Sequence, residues 1–422
     1  MIAKLYTLFL KHKKISTDTR KIKKNALFFA LKGESFNANT FAQQALKKGA
    51  SYAIVDETKY KTDKRIFLVN NVLDTLQSLA THHREKLGLP IISLTGSNGK
   101  TTTKELINTV LATKYKTTAT VGNLNNHIGV PLTLLSMTTD TEIGIVEMGA
   151  NHPKEIEFLC NLAKPDYGYI TNFGKAHLEG FKSLQGVIRA KTELYNYLRE
   201  HKKLVFVNDN DAIQVLKSRK INTIHFGEKQ SEYPVKFVTA NPFVTVKYKE
   251  VIIKTNLIGS YNYNNIAAAI TMGLYFKIDI LKIKKALEIY VPTNNRSQLI
   301  TKDKTKIILD AYNANPSSME SAIVNFTQLK EEPKVAILGD MFELGKYAKV
   351  EHQKIVDLVA SSTIDKVYLI GDNFYTTTIN SVKVKKFKTF ANFKAEFVMP
   401  KEATLLIKAS RGMALERVLE IL

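Results

Sequence analysis

Apolar and polar positions change rhythm along this chain, and the changes mark where its parts begin. In residues 1–83, short apolar runs at 27–31 and Tyr52–Val55 predict strands, and the amphipathic segment 40–48 predicts a helix between them. Residues 74–87 read as a connecting helix. From Pro90 onward, runs at 91–94, 143–146, Tyr167–Ile170 and 204–207 read as buried strands with helical patterns between them. That alternation argues for a parallel sheet with crossover helices. The first of these strands enters a Gly-rich turn and then a helix from Thr101 to about Thr113. Residues 235–258 change to short alternating strands, an antiparallel edge, and 264–275 read as a helix. Residues 292–298 read as a linker. Beyond it, strands are expected at 306–309, 335–338, 366–369 and 404–407, with helices between.

The fold expected is therefore α/β in three domains. These are a small N-terminal α/β domain (1–83), a central phosphate-loop domain with a mostly parallel sheet (84–291) and a C-terminal Rossmann-like domain (292–422). A chain of 422 residues agrees with that division at roughly 100–200 residues per domain.

Composition narrows the function classes. Hydrophobic residues at 44% and charged residues at 24% are globular proportions. No apolar run reaches the roughly 18 residues that span a bilayer, and the N-terminus has no small-residue cleavage site. A cytoplasmic protein without membrane insertion is expected, and a monomer. The single cysteine, Cys160, cannot form an internal disulfide and reads as a small core residue.

The net charge of +22 raises the question of nucleic acid. Residues 1–83 carry 15 basic and 6 acidic side chains, 84–290 carry 27 and 18, and 291–422 carry 19 and 15. The excess is spread, and only nine of the 61 basic residues are Arg, the side chain suited to bidentate phosphate and base contacts. Nucleic acid is not the expected partner; anionic small substrates are.

The strongest local signal is Leu94-Thr95-Gly96-Ser97-Asn98-Gly99-Lys100-Thr101-Thr102. A buried strand delivers a Gly-rich turn to a helix N-terminus, where backbone N–H groups and the helix dipole favour phosphate. Lys100 would reach the β/γ-phosphates and Thr101 would offer its hydroxyl to Mg²⁺. The usual loop has a Gly where Leu94 stands, so only the short form Gly96-x-x-Gly99-Lys100-Thr101 is present. Glu147 closes a predicted strand at the sheet edge where ligands of open α/β sheets bind.

The short Thr-rich loop resembles that of the Mur ligases, ATP-dependent amide-bond ligases of peptidoglycan synthesis. Further segments resemble the family in order: Gly122–Pro131 with its Asn-rich core, Glu147-Met148-Gly149-Ala150-Asn151-His152, Asn172–Glu179, Arg189-Ala190-Lys191-Thr192-Glu193, and Asp310-Ala311-Tyr312-Asn313-Ala314-Asn315-Pro316. Segments 16–20, 30–34, 339–345 and 408–411 are similar to the branch that adds D-alanyl-D-alanine to UDP-N-acetylmuramoyl-tripeptide. His127, Tyr261 and Asn37-Ala38-Asn39 depart from that branch, which commonly has Asp, His and Asp-Gly-His there.

The resemblance implies roles. ATP would be held by Gly96, Ser97, Asn98, Gly99, Lys100, Thr101 and Thr102, with Asn262 and Asn265 at adenine, Asp310 at ribose and Arg296 at the transferring phosphate. Two Mg²⁺ ions are implied, on Thr101, Glu147, His177 and a carbamylated Lys191. Lys100, His177, Lys191 and Arg296 would carry catalysis. The UDP substrate would be met by Ser16, Thr17, Thr19, Arg20, Lys32 and Gly33, with Asn126 a further substrate contact. D-Alanyl-D-alanine would be met by Asn313, Asp340 and Arg411. The competing readings are another amino-acid ligase of the same family, such as the one adding the third residue, and a basic P-loop nucleic-acid-binding protein.

Overall fold

The computed structural model describes residues 1–228, 231–330, 333–398 and 402–422. They form two compact units: residues 1–94, 115–149 and 155–168 make the first, and 95–114, 150–154 and 169–422 the second. The boundary expected between 83 and 84 falls inside a helix, Val72–Leu87.

The first unit opens with the helix Ile2–His12, which buries Leu5 and Phe9 one turn apart. Four parallel strands, Ile15–Ser16, Leu27–Phe29, Tyr52–Val55 and Ile66–Leu68, lie side by side in that order. Small side chains (Ala38, Ala42, Ala45) let the helix Ala42–Lys47 and the turn before it lie close over Phe28 and Val55. The helix Val72–Leu87 starts at Asn71, whose side chain accepts from the N–H groups of Leu73 and Asp74, and stops at Gly88 with φ 62°. The fully buried strand Ile91–Thr95 follows. It pairs in parallel with Ile143–Glu147, which pairs with Thr117–Ala119. That register sets Leu94 opposite Glu147.

Further along the chain the strands Tyr167–Ile170, Leu204–Asn208, Asn222–Gly227, Tyr233–Ala240, Phe243–Tyr248 and Val251–Ile258 are neighbours in that order, all but the start of the first lying in the second unit. The last three are joined antiparallel, as the alternation in 235–258 predicts. Helices Lys100–Leu111 and Tyr263–Tyr275 pack together. A second sheet runs in the order Gln298–Lys302, Thr305–Asp310, Thr404–Lys408, Lys334–Gly339, Lys366–Ile370, Val384–Phe387. It is parallel except for its first strand, and it closes over a core that includes Ile337, Tyr368, Phe393 and Ile407. The architecture is α/β with mostly parallel sheets, as expected. Among the described residues no helix is long and apolar enough to cross a membrane.

Candidate active site

The phosphate loop is built by what its glycines make room for. Gly99 adopts φ 76° and starts the helix Lys100–Leu111; Gly96 adopts φ 148°. A Cβ on Gly96 would lie 1.9 Å from the Thr171 hydroxyl, and one on Gly99 2.7 Å from Asn265 Oδ1. Conformation and space both require glycine there. The loop is then fastened to the segment after strand Tyr167–Ile170. Ser97 N donates to Asn172 O (3.1 Å) and Ser97 Oγ to Gly174 O (2.8 Å). Asn98 N donates to Asn172 Oδ1 (3.0 Å), while Asn98 O accepts from Thr171 Oγ1 (2.6 Å) and Asn172 Nδ2 (3.0 Å). Lys100 folds back over the loop, with Nζ donating to Gly96 O (2.8 Å). Thr101 and Thr102 are buried in the first helical turn. A rigid loop, a helix N-terminus and one ammonium form a cradle suited to phosphate oxygens.

Behind the loop runs a buried chain of amides. Thr103 Oγ1 donates to Asn265 Oδ1 (2.9 Å), Asn265 Nδ2 to Asn262 Oδ1 (2.8 Å), and Asn262 Nδ2 to Ile258 O (2.7 Å). The two asparagines expected at adenine are 3% and 4% exposed, and their amides tie the phosphate-loop helix to its neighbour. Tyr261 OH meets Ser297 Oγ at 2.8 Å, and burial pushes its phenol well above the ordinary tyrosine range.

The segment after Asn172 reaches the C-terminal sheet region at several points. Asn98 Oδ1 accepts from Asn315 Nδ2 (2.7 Å), and Lys175 N donates to Ser317 Oγ (2.9 Å). Lys175 Nζ pairs with Glu351 (3.2 Å), and His177 Nδ1 pairs with Glu343 Oε2. That His177 contact holds the Glu343 carboxyl below its ordinary range. Lys191 is fully buried; its Nζ donates to Ala150 O (3.2 Å) and lies 5.2 Å from the centre of the Phe181 ring. His177 packs edge-on against that same ring, with centroids 6.3 Å apart. The structure thus brings His177 and Lys191 to one aromatic side chain.

The linker is anchored at both ends. Tyr290 OH and Asn294 Nδ2 donate to Glu105 on the phosphate-loop helix. Ser297 N donates to Asp310 Oδ1 (3.2 Å), and Asp310 Oδ2 pairs with Lys408 Nζ (2.6 Å). Between them, the Arg296 guanidinium lies 3.7 Å from the Tyr312 ring centroid.

The remaining expected residues are scattered. In the first unit, Ser16 Oγ donates to Asp18 O (3.2 Å), Thr17 and Thr19 are half-buried, and Arg20 is an exposed fork on Asp18 (2.8 Å), whose carboxyl it holds at about 2. Lys32 pairs with Asp56 (2.8 Å) and Glu57 (3.0 Å), and Gly33 lies in the small exposed hairpin beside it. Asn126 lies in the turn before the helix Gly129–Ser136, its Oδ1 accepting from Ile128 N and Gly129 N. Glu147 is 1% exposed; Oε1 accepts from Asn125 (2.8 Å) and Oε2 has no partner among the described residues. In the second unit, Asn313 is exposed, and Arg411 pairs with Glu416 (2.8 Å). Asp340 is interior: its carboxylate accepts from Asn373 N, Asn373 Nδ2 and Phe374 N, and so holds the start of the helix Asp372–Tyr375.

Residues 94–273 match the family description "Mur ligase middle domain", residues 295–410 "Mur ligase, glutamate ligase domain" and residues 11–84 "Mur ligase family, catalytic domain". The chain belongs to the Mur ligase family. A curated relative in Bacillus subtilis, UDP-N-acetylmuramoyl-tripeptide–D-alanyl-D-alanine ligase, is 35% identical over 96% of this chain and 92% of its own. A crystal structure of MurF from Acinetobacter baumannii superposes with a TM-score of 0.88 at 30% identity, covering 97% of this chain and 93% of that one. MurF from Thermotoga maritima in complex with ADP does so with a TM-score of 0.84 at 27% identity, covering 98% of this chain and 97% of that one.

This Mur ligase is an ATP-dependent ligase. The glycine-lined cradle fits the phosphates of ATP, and Glu147 Oε2, buried without a hydrogen-bond donor, fits a cation ligand. Among the described residues no three His, Cys, Asp or Glu side chains gather into a metal cluster. Hard Mg²⁺ keeps several waters and needs only one or two carboxylates, so the donor set is sufficient for it. Sequence reasoning missed the residues that hold these Mur ligase parts together: Glu105, Thr171, Asn315, Ser317, Glu343 and Glu351. Only Asn315 carried a local signal. Asn315-Pro316-x-Ser318 reads as a helix start, and it is one, with a full capping box.

Proposed function

We propose that this chain joins D-alanyl-D-alanine to UDP-N-acetylmuramoyl-tripeptide, with ATP giving ADP and phosphate. The observation that carries the reading is similarity over 96% of the chain, at 35% identity, to a ligase of that name. A carboxylate is a poor electrophile. Its oxygen attacks the γ-phosphorus, the bond to ADP breaks and an acyl phosphate forms. The dipeptide amine then attacks the acyl carbon, phosphate leaves with the bonding electrons, and the nitrogen loses a proton.

Two anions must meet for the first step, so the chain has to supply positive charge and exclude water. Lys100 and the loop N–H groups of Gly96–Thr102 hold the phosphates. Arg296 reaches the transferring phosphoryl group and Asp310 the ribose. Asn262 and Asn265 act at the adenine end, where their burial is consistent with a rigid supporting part. Two Mg²⁺ ions would neutralise phosphate charge when bound. Thr101, Glu147, His177 and Lys191 are their proposed ligands. Lys191 would serve as a carbamate: its remaining N–H could stay on Ala150 O while the added carboxylate provides an anion. Ser16, Thr17, Thr19, Arg20, Lys32 and Gly33 take the UDP end, with Asn126 nearby in role. Asn313 and Arg411 receive the dipeptide, and Asp340 shapes the loop beside them. The domain division 1–83, 84–291 and 292–422 goes with these roles, as does a cytoplasmic, monomeric enzyme. Phosphate release with ATP and Mg²⁺, compared across acceptor and amine pairs, tests the reading.

A further inference from the structure

Arg296 is held in an unusual way. It lies between two non-glycine residues with positive φ, Asn295 (54°) and Ser297 (50°). Such conformations persist where surrounding contacts over-determine them. Asn294 is fixed to Glu105, Asn295 O accepts from Tyr312 N (3.2 Å), and Ser297 is fixed to Asp310 and Tyr261. The side chain itself has no such anchor. Its Nε is buried with no hydrogen-bond partner among the described residues. What it touches is the face of Tyr312, with 3.7 Å between the guanidinium carbon and the ring centroid. The Arg411 guanidinium lies 5.8 Å from the same centroid.

We infer that Tyr312 is a positioning residue for the reaction: its ring is the platform that orients Arg296 toward an oxyanion. The inference rests on the proposed role of Arg296 at the transferring phosphate. An aromatic face attracts a guanidinium without using its N–H groups. The terminal N–H groups of the guanidinium therefore remain free to donate to phosphoryl oxygens. A carboxylate partner would occupy the fork and cancel its charge. An aliphatic side chain would leave the guanidinium free to rotate. The phenol oxygen has no part in this, so the ring alone is required.

The test compares Tyr312→Phe and Tyr312→Leu, each alone and combined with Arg296→Lys, in phosphate-release kinetics on the full chain. Melting temperatures check that each variant is folded. A desolvated cation–π contact corresponds to roughly a 30-fold effect. Tyr312→Leu is expected to lower kcat by about that factor with KM for ATP changed less than about threefold, since the contact acts on the phosphoryl group in flight. Tyr312→Phe is expected to stay within about threefold of wild type. In the Arg296→Lys background the step from Tyr to Leu is expected to shrink to about twofold or less. Equal losses in Phe and Leu variants, or strictly additive losses with Arg296→Lys, would overturn the positioning role. Full activity in Arg296→Ala would instead overturn the role of Arg296 itself. The two failures are therefore distinguishable.

Discussion

Asn98 in the phosphate loop accepts a 2.7 Å hydrogen bond from Asn315, 217 positions further along the chain. The same Asn315 caps the helix Pro316–Thr327, its Oδ1 accepting from Ser318 N at 2.9 Å. One side chain therefore starts a helix with its oxygen and holds the phosphate loop with its nitrogen.

Asn315→Ser separates the two duties. Serine is a comparable N-cap, whereas losing the cap altogether costs about 1 kcal/mol. The melting temperature should fall little, while kcat/KM for ATP should fall by about tenfold, the size of a hydrogen bond to a positioned loop. Thermal melting and phosphate release on one preparation check this. Unchanged kinetics would show that the Asn98 contact is incidental.

Gly96→Ala should disable the loop. The new Cβ would lie 1.9 Å from Thr171 Oγ1 and 3.0 Å from Thr171 N. The second contact is backbone, so Thr171→Ala cannot relieve it. We expect ATP turnover to fall by more than about a hundredfold, in line with roughly 3 kcal/mol of misplacement and strain. The double variant should remain impaired. Recovery of activity in Gly96→Ala/Thr171→Ala would show that the hydroxyl clash alone set the requirement.

Stability should decline on mild acidification. His352 is buried, Nδ1 donating to Ala348 O (2.7 Å) and Nε2 accepting from Met341 N (3.0 Å). Burial lowers its pKa, and the Ala348 carbonyl and nearby Asp340 only partly oppose that. Burial likewise lowers the pKa of His83. The folded protein thus binds fewer protons than the unfolded chain below the unfolded-state value of about 6.5. Stability is full above that pH and falls as pH drops through it, by up to about 1.4 kcal/mol per pH unit for each histidine. Melting at pH 7.5 and 5.5 reads this before the carboxylates Asp18 and Glu57, held at about 2, begin to titrate. A higher melting temperature at pH 5.5 would contradict it.

Lys191 offers a spectroscopic check. A carbamate should appear as a ¹³C resonance when the protein is equilibrated with ¹³C-bicarbonate, and Lys191→Ala should remove both that resonance and most of the activity. The amine is buried against Ala150 O and the Phe181 ring, so the added group would be shielded from bulk water. Full activity in Lys191→Ala would reduce this lysine to a packing residue.

The central parts were legible because they are local. A buried apolar run, two glycines and Lys-Thr specify strand, loop and helix within a dozen residues, and the helix begins at Lys100, one residue before the expected start. The alternation in 235–258 likewise gave the antiparallel edge. What stayed hidden was long-range. Nothing near Asn98 names Asn315, and nothing near His177 names Glu343. The resemblance gave Asn262 and Asn265 as adenine contacts, but the hydrogen bond from Thr103 to Asn265 depends on two helices meeting. The resemblance alone pointed to Asp340 as a substrate contact, and its place inside the fold was not legible from the sequence. Its partners, Asn373 and Phe374, lie more than thirty residues away.

The most direct measurement is phosphate release with ATP and Mg²⁺. It should be run with UDP-N-acetylmuramoyl-tripeptide plus D-alanyl-D-alanine, with UDP-N-acetylmuramoyl-dipeptide plus single amino acids, and with Lys100→Ala as the control. We expect one phosphate released per pentapeptide product formed with the first pair, little with the others, and none from folded Lys100→Ala protein. Faster turnover with a dipeptide acceptor, or wild-type turnover by Lys100→Ala, would contradict that expectation.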